Sequence, residues 1–172
     1  MAILSIITAP DSILRQVSRP VVTIDAEVRK LMDDMLDTMY AAPGVGLSAI
    51  QVGVAKRIVV VDAAKDPDPP APIRLVNPEI IWQGPVAGPH EEGCLSFPEQ
   101  YEEVERPTQV HVRYLDENEE IRIAKATGLL AIALQHEIDH LDGVLLVDHI
   151  SKIKRNIIMR RMKKMRRLQT AE

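Results

Sequence analysis

Apolar side chains recur at Val28, Leu31, Met32, Met35, Leu36, Met39 and Tyr40, the three- and four-residue spacing of one helix face. Asp25 stands just ahead of them as an N-cap, and Pro43-Gly44 ends the pattern, so an amphipathic helix packed on the body of the protein is predicted here. After a Gly-containing loop over Gly44 to Gly46 the period changes. Residues 57–62, 73–82, 109–115 and 120–124 read as strands. The last two are separated by Asp116-Glu117-Asn118-Glu119, a hairpin connection, whereas Pro67, Pro69, Pro70 and Pro72 mark a surface loop between the first two. Thr127 is the expected cap of a second helix that ends at Gly143, where a missing side chain suits a left-handed residue. Positions 129–134 are apolar on every side, so this helix should be buried in the middle of the domain. No internal repeat is found. The order of elements predicts an α+β fold with mostly antiparallel sheets around a central buried helix, and with a further helix at the C-terminus.

That last helix changes the electrostatic picture. Ile150, Ile153, Ile157, Ile158, Met162, Met165 and Leu168 form an apolar stripe among nine basic residues, so residues 150–172 carry a balance of +8 while the rest of the chain carries −12. A catalytic body over residues 1–149 is therefore expected, followed by a basic amphipathic helix over 150–172 that belongs to the same domain. The 172 residues suit one domain, and 46% apolar with 27% charged residues excludes a disordered or membrane-spanning class. No apolar run approaches the roughly 20 residues of a membrane span, and the first ten residues lack the features of a secretory signal. A cytosolic location is expected. Cys94 is the only cysteine, so no internal disulfide forms and its thiol is free.

His136-Glu137-Ile138-Asp139-His140 is an H-E-x-x-H sequence on the buried helix. Side chains four apart share one face, about 5–6 Å apart at Cβ, which suits two imidazoles on one metal ion. Glu137 lies about 100° around the axis, able to reach a water at the ion without being a ligand. Burying two histidines and a carboxylate without partners would be costly. A catalytic site needs a third protein ligand. The extended metalloprotease pattern would place a histidine at Leu146, and the only acid beyond Asp148 is Glu172, so the third ligand is either a near neighbour, Asp148 or His149, or lies upstream. Upstream stands Cys94, which as a lone cysteine is by default a small buried hydrophobe.

Gly44-Val45-Gly46-Leu47-Ser48-Ala49-Ile50-Gln51, Glu92-Gly93-Cys94-Leu95-Ser96 and residues 135–143 resemble, in order and spacing, the three signature motifs of the peptide deformylases. The likeness extends to Pro10-Asp11, Leu14-Arg15 and Pro20-Val21, and so covers most of the chain. The resemblance implies a metallohydrolase that removes the formyl group from the formyl-methionine of new polypeptides. It implies Cys94, His136 and His140 as ligands of one divalent ion, Fe2+ in the family, although the donor types also suit Zn2+, Co2+ and Ni2+. It further implies Glu137 as general base and then acid, with Gln51 and the Leu95 backbone N–H as oxyanion donors. Gly44, Val45, Gly46 and Gly93 are implied to contact an extended substrate strand, and Glu92 to pair with Arg106. The sequence departs from the family pattern at Ser48, usually Ala, and at Tyr101, often Arg. Formyl-methionyl nascent peptides are the expected partners, with the ribosome near its exit tunnel engaged by the C-terminal helix and no stable membrane insertion. Two other readings remain at this stage: a metallopeptidase acting on ordinary peptide bonds, and a ribosome- or RNA-binding module with a structural metal closed by a fourth protein ligand such as His90 or His111.

Overall fold

The helix expected behind Asp25 runs Ala26–Ala41 (α1) in the computed structural model, which describes residues 2–171. Met1 and Glu172, the outer ends of the two segments expected from the sequence, lie outside the described residues. The Asp25 carboxylate accepts from the Val28 N–H at 2.9 Å, satisfying one of the free donors of the first turn. Seven strands follow: β1 (Gly46–Ser48), β2 (Ile58–Val61), β3 (Ile73–Gln83), β4 (Ala87–Cys94), β5 (Phe97–Pro107), β6 (Gln109–Leu115) and β7 (Ile121–Thr127). Two more helices, α2 (Gly128–Leu141) and α3 (Lys152–Thr170), complete the chain. Every strand pair is antiparallel; one sheet has the order β1-β2-β3-β6-β7, and β4 and β5 form a separate two-stranded ribbon.

β2 is apolar throughout because both its faces are covered. Alternate residues of a strand point to opposite faces. Ile58 and Val60 pack with Met32, Met35 and Met39 of α1, while Val59 and Val61 pack with Ala131, Leu134 and Ile138 of α2. The sheet thus lies between two helices, and α2 is the inner one, buried from Ala131 to Ile138. Thr127 occupies its N-cap position without a side-chain hydrogen bond, and Gly143, at φ +74°, turns the chain beyond it.

A third apolar cluster joins Leu14, Phe97, Leu145 and Val147 to Ile158 and Met162 of α3. The stripe read from the sequence is therefore narrower in the fold: Ile153 is 74% and Leu168 60% exposed, because the helix touches the body with a single edge. Tyr40, placed on the apolar face of α1 by periodicity, is half exposed and uses its hydroxyl to bond Asp62 at 2.5 Å. The strands at β4 and β5 were not anticipated by the apolar pattern, because their inward positions include Glu92, Gln100 and Arg106.

Candidate metal centre

α2 brings His136 and His140 to one face, one turn apart, with the two Nε2 atoms 3.2 Å from each other. The Cys94 sulfur, at the end of β4, lies 3.3 Å from His140 Nε2. One donor atom from each of Cys94, His136 and His140 falls within 4.8 Å of the others. Two imidazole nitrogens and a sulfur at roughly 2.0–2.3 Å from a common ion in tetrahedral array stand about 3.3–3.7 Å apart, so the separations and the donor chemistry both fit a divalent metal. His136 Nδ1 donates to Glu92 Oε1 at 3.0 Å, since a carboxylate can only accept, and this leaves Nε2 as the ring nitrogen that faces the cluster.

Glu137 sits beside this cluster, its Oε1 4.0 Å from His136 Nε2 and its Oε2 buried without a protein partner. Burial raises its carboxyl to about 7; the neighbouring His136 opposes the shift, while Glu92 and Asp139 add to it. Burial works against a His136 cation, yet the Cys94 sulfur and Glu92 outweigh it and raise that group well above the ordinary value. His140 is held neutral by burial and then by the charge of His136. Glu92 is buried too, but its bonds to His136 and Arg106 hold it down at about 2.

Gln51 reaches the cluster from the 3₁₀ turn after β1. Its Oε1 accepts from the Ser48 N–H and Ser48 hydroxyl, each at 3.0 Å, so the amide nitrogen faces inward. That nitrogen donates to Ser96 Oγ at 3.0 Å and lies 3.7 Å from the Cys94 sulfur. Ser48, the departure from the family pattern, therefore finds a partner for its hydroxyl and uses it to orient Gln51. Ser96, fully buried, holds the same amide and donates to the Ile7 carbonyl at 2.7 Å, a part that the sequence did not single out.

Gly44, Gly46 and Gly93 line one cleft of about 600 Å³ together with Val45, Leu95, Tyr101, Ile132, His136 and Glu137. Their missing side chains also serve the protein itself. A Cβ at Gly46 would lie 2.8 Å from Glu137 Cγ, one at Gly44 2.7 Å from the Leu95 side chain, and one at Gly93 2.6 Å from the Tyr101 ring. The Gly44 N–H is already given to the Met39 carbonyl, and the Val45 carbonyl accepts from the Asp62 N–H.

Other residues weighed from the sequence stand apart. Asp148 pairs with Arg15 and His149 bonds Asp139, so neither is among the three clustered donors. His111 stacks on Trp82, and His90 lines the cleft without joining the cluster. Glu92 and Arg106 form the expected ion pair, both nearly inaccessible to solvent, and Arg106 extends it to Asp139 at 2.9 Å.

The model of the polypeptide deformylase family matches residues 3–156. The chain is 51% identical over 166 residues to a peptide deformylase of Pelagibacter ubique, covering 96% of each, and 53% identical over 165 residues to one of Mesorhizobium japonicum, covering 96% and 94%. Among solved structures it superposes on a peptide deformylase of Ehrlichia chaffeensis in complex with actinonin with a TM-score of 0.92 at 41% identity, covering 96% of this chain and 98% of that one. With its three motifs brought to one cleft and a match that spans nearly its full length, the chain belongs to the polypeptide deformylase family.

Proposed function

We propose that this protein hydrolyses the formyl group from the N-terminal formyl-methionine of newly made polypeptides, releasing formate, with one divalent ion held by Cys94, His136 and His140. The observation that carries this reading is the meeting of those three donor atoms beside the buried carboxylate of Glu137 in a solvent-open cleft. An ion so held supplies Lewis-acid polarisation of the formyl oxygen and lowers the pKa of water toward neutrality. Fe2+ is the ion implied by the family likeness; Zn2+, Co2+ and Ni2+ suit the same donors.

Glu137 takes the proton of the attacking water and then gives it to the departing amine. Burial raises its carboxyl, which makes it a stronger base and lowers the cost of holding the proton between the two steps. Gln51 Nε2, fixed by Ser48 and Ser96, and the Leu95 N–H donate to the oxygen that becomes negative. Gly44, Val45, Gly46 and Gly93 frame the extended substrate, whose methionine side chain suits the apolar wall at Leu129, Ile132 and Ala133.

The enzyme acts in the cytoplasm on nascent chains, and α3 docks it on the ribosome near the exit tunnel. Among the described residues no helix is long and apolar enough to cross a membrane, and α3 has no aromatic residue to anchor at a lipid interface. The test is a panel of formylated, acetylated and unmodified methionyl peptides given to metal-loaded protein, with the freed N-terminal amine and formate both measured. A new amine and an equal amount of formate from the formylated peptide, with no new amine from the acetylated one, are expected. Cleavage of internal peptide bonds without formate would replace this reading with a metallopeptidase.

A further inference from the structure

The buried guanidinium of Arg106 is held on two sides. Its Nε and Nη2 grip the Glu92 carboxylate, the second at 3.0 Å, and its Nη1 donates to Asp139 Oδ2 at 2.9 Å. The same Asp139 oxygen accepts from His149 Nε2 at 2.8 Å, and the same Glu92 oxygen accepts from His136 Nδ1 at 3.0 Å. Five side chains thus form one unbroken path: His149 from the turn before α3, Asp139 from α2, Arg106 from β5, Glu92 from β4, and His136 from α2 again.

We infer that Asp139 and His149 are positioning residues of the metal centre, acting through Arg106 and Glu92 on His136. Glu92 has two donors to satisfy, the Arg106 fork and the His136 ring, and it can serve both only while the fork stays in one plane. Asp139 fixes that plane by holding the third side of the guanidinium. His149, 30% exposed, fixes Asp139 in turn. Loss of Asp139 leaves Arg106 free to pivot about its bonds to Glu92, which draws the carboxylate off Nδ1 and releases both the tautomer and the tilt of the His136 ring. The path also joins β4, which ends in Cys94, to α2, which carries both histidines, and so sets the spacing of the three donors.

This inference rests on the metal reading above. Its test uses Asp139→Asn, Asp139→Glu and His149→Gln beside the parent, each stripped and reloaded with Co2+. Affinity is read by chelator competition, ligand geometry by the visible absorption of the cobalt protein, and fold by the melting temperature of the metal-free form. Asp139→Asn is expected to weaken Co2+ binding roughly 10–100-fold, the usual effect of losing such an outer partner, and to shift the cobalt bands. His149→Gln should do the same to a smaller extent, and Asp139→Glu should recover part of the loss. Variants that melt earlier but bind Co2+ with parental affinity and spectrum overturn the inference and leave the path a brace only. Should Asp139→Asn fail to fold, His149→Gln decides by the same two readouts. A parent that binds no Co2+ overturns the metal reading itself, and this inference with it.

Discussion

Glu137 is the residue whose surroundings most directly set the expected chemistry. Desolvation raises its carboxyl to about 7, and a divalent ion held by Cys94, His136 and His140 would pull it back toward the ordinary 4.5. A base works only when ionised, so kcat/KM is expected to rise with pH on the acid side, with a midpoint between those two values. Replacing it in Glu137→Ala should keep the metal, abolish that acid limb and cost roughly 10²–10⁴-fold in rate. Near-parental turnover with the limb intact, in protein shown to be metal-replete, removes Glu137 from the mechanism. Gly46 bears on the same carboxylate, since its absent Cβ is what leaves room for Glu137. Gly46→Ala is expected to push Glu137 aside by a few tenths of an ångström or more and to lower kcat about 10²-fold with metal content unchanged. An unaltered kcat would show that Glu137 is not confined there. The spacing of His136, Glu137 and His140 was legible from the sequence because a helix repeats every 3.6 residues. The role of Gly46 was not, because it depends on which side chain crosses the strand in the folded protein, and the same holds for Ser96, Asp139 and His149.

At the scale of elements, legibility follows how far inward positions are apolar. α1, α2 and β2 announce themselves because most of their buried positions are apolar at a regular spacing, whereas the β4–β5 ribbon turns Glu92, Gln100 and Arg106 inward and places Pro89 and Pro98 within its strands. Such local violations of pattern are expected where a segment serves a site rather than a core. The ribbon was found from the sequence only as a motif around Cys94, not as two strands. α2 holds its place by apolar packing: Leu134, fully buried, meets Val59, Val61 and Val112 across the sheet. Leu134→Ala is expected to cost about 2–5 kcal/mol and, at about 2–4 °C per kcal/mol for a domain of this size, to lower the melting temperature by roughly 4–20 °C. Thermal unfolding of the metal-free protein checks this; a shift below about 2 °C would mean that α2 is anchored chiefly by its polar network.

For the whole molecule the governing feature is the separation of charge, +8 on residues 150–172 against −12 on the remainder. α3 spends Ile158 and Met162 on the body, Lys154 reaches Glu102 at 3.3 Å, and Arg161 donates to Gln100 at 3.2 Å, so one edge of the helix is occupied by its own protein. Arg160, Lys163, Lys164, Arg166 and Arg167 are exposed, and three of them, with Pro10 and Thr170, line a groove of about 480 Å³. Cations left facing solvent beside an acidic body are suited to phosphate, which they bind by releasing counterions, while the body is repelled from it. Reversing the charge at those five positions to Glu is therefore expected to abolish co-sedimentation with ribosomes at low salt and leave turnover of a short formyl-Met peptide near the parental value. The parent's binding should fall steeply as salt is raised. Truncation before α3 is the weaker experiment, because it also strips Ile158 and Met162 from the cluster around Phe97 and is expected to lower stability. Ribosome binding that survives the charge reversal and does not respond to salt would show that α3 is a stabilising helix and not a tether.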